Sequence, residues 1–332
     1  MTLKANETQK TAPSVIQRPL GFQKDTLPWL DKMLEEIDRE IEKVEESPAA
    51  RLRLRQELLT YMHNGYVILE GAIEHKLIDA YLADVYDLFD DRRLNVKVSG
   101  HYQTYLSVHE YEDSDYYKHG LRIIDFHNSS IAAKKISLHK RLTQFLKLVF
   151  RQQIVAMQSL TFMKSTQQEI HQDFAYVVAE IPSHLAASWV ALEDIDPDSG
   201  PLCYYPGSHT NQMFDWGNGM FRTQDSTGTD AEFAAHIHGA CKEAGQTIQH
   251  FHPKKGDVLI WHGALAHGGA LAKNPELTRK SYVTHYSTKA GFQHDYRAKD
   301  QEPYAYEYNG GLVYRHPFHP DEEDYYDRGA RF

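Results

Sequence analysis

The stretch GDVLIWHGALAHGGALAKNPELTRKSYVTHYS, residues 256–287, decides the fold. Gly256-Asp257 is a turn pair, and the apolar run after it has the composition of a buried strand. Two histidines, His262 and His267, close that run. Gly268-Gly269 and a polar loop follow, and Arg279 stands at the head of a second β-favouring run. Working outward, similar short runs fall at 154–163, 175–179, 187–192, 202–205, 246–251, 257–261 and 281–287, separated by Gly, Pro and Asp. Many short strands joined by such turns predict a β-sandwich or jelly roll rather than a parallel α/β sheet. No period repeats along the chain, which excludes a solenoid or propeller.

Helices precede this β region. Apolar residues at three-to-four spacing predict an amphipathic helix over 29–46, stopped before Pro48. A second helix is expected over 49–63, a strand over 66–69 and a third helix over 73–90. Three zones result: an N-terminal arm and helices over 1–64, a β domain over 65–290, and a Tyr-, His- and Asp-rich tail over 291–332 that is either a lid or a surface segment. The segment 101–127, with Tyr102, Tyr105, His119 and Arg122, is either the mouth of a substrate pocket or an ordinary loop.

The whole-chain balance narrows the function. With 36 Lys and Arg against 46 Asp and Glu, the net charge is −10, so no overall basic field attracts nucleic acid or an anionic membrane. The first residues carry no secretory h-region, and no apolar run reaches the ~18 residues of a membrane span. The two cysteines, Cys203 and Cys241, form no C-x-x-C pair, which argues against a disulfide scaffold or a thiolate zinc site and makes the cytoplasm the expected location. The 20 histidines make metal chemistry worth testing.

His171-Gln172-Asp173 is where that test starts. On a strand, residues two apart share a face, so both side chains can reach one ion. An iron site of the two-histidine, one-carboxylate type needs one further histidine and leaves other positions open. His-x-Asp recurs at His319-Pro320-Asp321, but the proline there suits a turn better than a strand. Both His262 and His267 are candidate third ligands. Arg279 supplies a planar cation able to grip a carboxylate with two hydrogen bonds.

These pieces, taken in order, resemble one family. HQD at 171–173, Trp189, YYPGSH at 204–209, GDVLIWHGALAHGG at 256–269 and TRKSYVTHYS at 278–287 are similar to the phytanoyl-CoA dioxygenase family of Fe(II)- and 2-oxoglutarate-dependent oxygenases. GYVILEGAIEHKLIDAYLADVYDLF, residues 65–89, resembles that family's opening strand and helix. The resemblance implies a mostly β fold with flanking helices around a double-stranded β-helix, the cupin-like jelly roll. It implies His171, Asp173 and His267 as iron ligands, His267 over His262 because Gly-Gly follows it as in the family. It implies Arg279 as the clamp on 2-oxoglutarate, Trp189 and Gln158 beside that cosubstrate, and His209 near the metal in contact with substrate or cosubstrate. Where the family often has Ser or Thr two residues after the last ligand, this chain has Gly269, and Ser281 is the candidate replacement.

The implied reaction consumes dioxygen and 2-oxoglutarate, releases succinate and carbon dioxide, and hydroxylates an unactivated C–H bond of a small, polar metabolite. The same centre serves desaturation or cyclisation in a second reading. Halogenation is disfavoured, since family halogenases carry a small residue where this chain has Asp173. A third reading is a catalytically silent metal- or ligand-binding jelly roll, against which Arg279 argues. The sequence names neither the substrate nor the oligomeric state.

Overall fold

The computed structural model describes residues 27–100, 105–110, 120–177, 179–292, 305–314 and 326–327. The expected arm up to residue 26, Tyr102, His119 and the His319-Pro320-Asp321 pair lie outside these residues.

The helical preface is built as its sequence directs, with one difference. Helix α1 is short, Ile37–Glu42, preceded by separate single turns at Trp29–Asp31 and Leu34–Glu36. The periodic run over 29–46 breaks at Met33, whose backbone (φ −131°, ψ 54°) is not helical. Helix α2, Pro48–Asn64, starts with Pro48 at its first position, where the missing N–H costs nothing, and with the Ser47 hydroxyl accepting from Ala50 N. It stops at Gly65, which takes a left-handed φ of 76° and donates its N–H to Tyr61 O. Strand β1, Tyr66–Leu69, follows, then helix α3, His75–Asp91, whose Leu77, Ile78, Tyr81, Val85 and Leu88 recur at helical spacing and are buried.

Among the described residues, ten strands make the major sheet. They are β1, β2 (Lys97–Ser99), β3 (Tyr105–Ser107), β4 (Arg122–Ile124), β5 (Ile154–Phe162), β6 (Ala186–Ala191), β9 (Val258–His262), β11 (Ser281–Thr288) and the hairpin β12 (Ala305–Tyr308) with β13 (Gly311–Tyr314). The order is β1-β9-β6-β11-β5-β4-β2-β3, and β13 joins β5 in parallel at Leu312 and Val155. A minor sheet of β7 (Leu202–Tyr204), β8 (Gln249–His250) and β10 (His267–Gly269) has the order β10-β7-β8. The major sheet is antiparallel apart from that β13–β5 contact, and the two sheets with their outer helices form a jelly roll.

Both faces of the major sheet are covered. One face packs on α2, α3, α4 (Ile131–Ser137) and α5 (Lys140–Phe150), with Ile260, Tyr282 and Tyr286 in the same apolar core as Leu58, Tyr81 and Phe145. The other face, with Trp189, Leu259, Trp261 and Val283, packs toward Leu202 and Tyr204 of the minor sheet. Double coverage explains why β11 is buried at every position instead of alternating.

Four features depart from the sequence reading. Among the described residues of the strand expected over 175–179 none is in a strand: Asp173–Ala175 is a single 3-10 turn, closed by Tyr176 N and Val177 N on Asp173 O. The strand expected over 246–251 shrinks to β8. Helices α4, α5 and α6 (Asp230–Glu243) lie inside the region read as β, although α5 buries Leu142, Phe145, Leu146 and Val149 at helical spacing and Thr229 with Glu232 forms a capping box at the start of α6. Finally, the described part of the tail is a hairpin on the major sheet, with Tyr306 and Tyr308 against the helix-side core.

Candidate metal centre

His171 and His267 face each other as a two-residue bridge, each donating its N–H to the other's carbonyl at 2.9 Å. This bridge fixes the backbone of both. Gln172 is extended (φ −118°, ψ 135°), so His171 and Asp173 still point the same way although Asp173 begins a turn rather than continuing a strand. Gln172 faces elsewhere and donates to Ala264 O.

The nitrogen and carboxylate oxygen atoms of His171, Asp173 and His267 converge within 4.8 Å of one another. Among the described residues they are the one group of three or more His, Cys, Asp or Glu so arranged. Asp173 Oδ1 lies 3.5 Å from His267 Nε2 and 3.9 Å from His171 Nε2. Each ring is oriented from behind: His171 Nδ1 is 2.9 Å from Glu169 O, and His267 Nδ1 is 2.9 Å from Leu265 O. A carbonyl only accepts, so both Nδ1 atoms carry the proton and both Nε2 atoms present lone pairs to the shared space.

The electrostatics suit a cation. Burial, and then the neighbouring His267 ring, push His171 down to about 3, which keeps it a neutral ligand at ordinary pH. For Asp173 burial acts upward, but the imidazoles of His267, His285 and His171 outweigh it and hold the carboxyl below the usual carboxylate range. Two imidazoles and one carboxylate are the donor set of non-haem iron(II) sites with open positions.

The group opens on two cavities. An inner one of about 70 Å³ is walled by Leu160, Phe162, Trp189, Leu202 and Val283 and reaches Arg279. An outer one of about 440 Å³ meets it at His171, Asp173 and His285 and is lined by Ser99, Arg122, Gln158, Gln167, Glu169, Tyr176, Arg222 and Asp230 among others. Arg279 is only 2% exposed, and its guanidinium sits between the Phe162 and Trp189 rings, 5.8 and 5.6 Å from their centroids. Its Nε has no hydrogen-bond partner among the described residues. The neighbouring Lys280, by contrast, pairs with Glu193 at 2.8 Å.

The sequence-selected residues separate as follows. His171, Asp173, His267, Arg279 and Trp189 share the inner cavity, and Gln158 lines the outer one. Ser281 falls on the Arg279 side of β11 by alternation, and its buried hydroxyl has no partner among the described residues, yet it lines neither cavity. His209 lies apart from this group. Its ring is buried with Nε2 3.0 Å from Met62 O and packs 5.5 Å from His262, outside both cavities. His262 lies with it because it follows Trp261 on β9 and therefore faces the helices, with Asp31 3.8 Å away. Arg122 does line the outer cavity.

Further residues bordering the cavities were not singled out in the sequence reading. His285 borders both cavities, with Nε2 3.6 Å from Asp173 Oδ2; its even spacing from Arg279 on one strand was the available signal. Gln168 places its amide nitrogen 3.3 Å from His171 Nε2 while its oxygen accepts from Arg122. Thr166 lines the inner cavity beside Gly269, where an added Cβ would stand 3.0 Å from Thr166 Oγ1 and from Gln167 N. The glycine therefore leaves its space to Thr166, a hydroxyl-bearing residue from another segment whose Oγ1 accepts from Gln168 N.

A jelly roll with this site defines a cupin-type fold carrying a two-histidine, one-carboxylate group able to hold a metal ion. Residues 61–281 match the family described as phytanoyl-CoA dioxygenase, and the chain belongs to that family. It is 24% identical over 178 residues to a phytanoyl-CoA dioxygenase domain-containing protein 1 homolog of Caenorhabditis briggsae, covering 52% of this chain and 58% of that protein. It is 25% identical over 125 residues to the peroxisomal phytanoyl-CoA dioxygenase of Bos taurus, covering 37% of this chain and 34% of that one. The matched stretches thus span between a third and three fifths of these relatives. Among solved structures, the non-heme alpha ketoglutarate dependent epimerase SnoN from nogalamycin biosynthesis has a TM-score of 0.54 at 15% identity, covering 81% of this chain and 99% of that one. EctD from S. alaskensis with 2-oxoglutarate and 5-hydroxyectoine has a TM-score of 0.53 at 17% identity, covering 75% and 81%.

Proposed function

We propose that the protein is an Fe(II)- and 2-oxoglutarate-dependent oxygenase that hydroxylates an unactivated C–H bond of a small, polar metabolite. The observation that carries this reading is Arg279, a buried guanidinium without a carboxylate partner among the described residues, opening on the same narrow cavity as His171, Asp173 and His267. A buried charge is costly unless it is paired, and a short dicarboxylate reaching from the metal to Arg279 would pair it. A metal with a purely structural role requires no such cation, which disfavours the silent binding module.

His171 and His267 would hold iron through Nε2 and Asp173 through its carboxylate. Iron with 2-oxoglutarate and dioxygen supplies the oxidising chemistry, with succinate and carbon dioxide as co-products. The chain's own residues do the rest. Arg279 fixes the far carboxylate of the cosubstrate, and Phe162, Trp189, Leu202 and Val283 keep water from that end of the cavity. The substrate would enter by the outer cavity, whose charged and amide side chains of both signs suit a polar molecule and not an extended acyl chain. Gln158 and His285 stand at its inner boundary.

The structural relatives include an epimerase and a carbocyclase, so product identity has to be measured rather than assumed. Purified protein with iron(II), 2-oxoglutarate and air should be assayed for succinate against a panel of small polar metabolites and acyl thioesters. A polar metabolite that accelerates succinate release and gains one oxygen atom is the expected outcome. Product formed with loss of two hydrogens instead would favour desaturation or cyclisation. Preference for the thioesters would refute the substrate class.

A further inference from the structure

We infer that Trp261 is a positioning residue that restrains Asp173 to offer one oxygen to the metal; this rests on the metal reading above. The indole Nε1 of Trp261 donates a 2.7 Å hydrogen bond to Asp173 Oδ2, and both residues are buried. The same ring lies 4.9 Å from the His267 ring, so one side chain braces two of the three ligands. His285 stands on the same side, 3.6 Å from Oδ2. The other oxygen, Oδ1, is the one that faces the Nε2 atoms of His267 and His171.

The division of the two oxygens matters because a carboxylate can bind a metal through one atom or both. A centre holding six ligands with two imidazoles and one carboxylate oxygen keeps three positions open. A second carboxylate oxygen would leave two, enough for a bidentate keto acid but not for dioxygen as well. An indole N–H is a donor only, and its bond to Oδ2 holds that oxygen on the protein side.

The backbone makes the brace rigid. Trp261 sits on β9 between β1 and β6, paired with Tyr66 and Ala187, so its backbone is held on both sides, and its ring is enclosed by burial. Its neighbour His262 points to the opposite face. The alternation of one strand therefore separates a residue that serves the metal centre from one that serves the helix-side core.

The test is a double-mutant cycle on Ni(II) affinity, because nickel binds nitrogen and oxygen sites more tightly than iron(II) and stays measurable on two imidazoles. Trp261→Phe keeps the aromatic bulk and removes the N–H. It should weaken Ni(II) binding about tenfold or more, as loss of an outer hydrogen bond to a ligand does. In an Asp173→Ala background the same substitution should change affinity by less than about twofold. Equal losses in both backgrounds would show that Trp261 acts by packing alone, and no loss in the native background would also overturn the inference. Wild-type protein that binds no Ni(II) would instead end the metal reading itself. Should Trp261→Phe not fold, replacement of Trp261 by benzothienylalanine, which is isosteric and lacks the N–H, carries the same expectations.

Discussion

Arg279 concentrates the conflict between stability and function in one side chain. Burial pushes its guanidinium down to about 10, still a cation at neutral pH. A folded-state value below the usual one means that the fold disfavours the charged form at every pH below about 10. The size of the shift corresponds to on the order of 3 kcal/mol. Replacing the charge with a flexible apolar side chain should therefore stabilise the ligand-free protein and abolish cosubstrate binding. We expect Arg279→Met to melt several degrees higher than the wild type. We expect its affinity for 2-oxoglutarate on the Mn(II)-loaded protein, measured by calorimetry, to fall by about a hundredfold or more. A lower melting temperature with unchanged affinity would show that Arg279 is a structural cation and that the anion site lies elsewhere.

At the scale of elements, strand alternation sorts the histidines. His209 sits in the turn Ser208–Thr210, docked on the end of α2 and over Gly65, where a Cβ would come within 2.5 Å of its Nδ1. Burial, then the His262 ring beside it, push His209 down to about 4. The unfolded chain takes up that proton near pH 6.5. The stability that a neutral His209 contributes is thus complete above about pH 6.5 and is lost as pH falls toward 4. The slope is at most ~1.4 kcal/mol per pH unit. Urea unfolding at pH 7 and pH 5 should show the wild type losing roughly 2 kcal/mol more than His209→Gln, since other titrating groups cancel in the comparison. Equal losses would mean that His209 is protonated in the fold. The motif PGSH is plain in the sequence, but its destination is not, because a turn carries no periodicity to say which way its histidine points. The run of aromatic residues and valines after Asp173 misleads for the opposite reason: its residues favour strands, and the hydrogen bonds of Tyr176 and Val177 to Asp173 O override that preference.

For the whole molecule, much was legible because the jelly roll brings distant stretches together in a fixed way. His171, Asp173, His267 and Arg279 are separable from the other polar residues by motif order, and the structure gathers them around one cavity. The outer cavity was less legible. Its lining comes from β2, β4, β5, β11, the segment 167–177, Arg222 and α6, and no local pattern announces that such segments meet. The brace from Trp261 was equally hidden, since it depends on a register between strands and not on spacing along one. The central claim, that His171, Asp173 and His267 hold iron which 2-oxoglutarate then joins, is tested most directly by visible absorption under anaerobic conditions. Iron(II) followed by 2-oxoglutarate should give the wild type a weak charge-transfer band. The band should persist in His262→Ala, whose ring faces the helices, and be missing in His267→Ala. No band in the wild type, or a band kept by His267→Ala and lost by His262→Ala, would contradict the assignment.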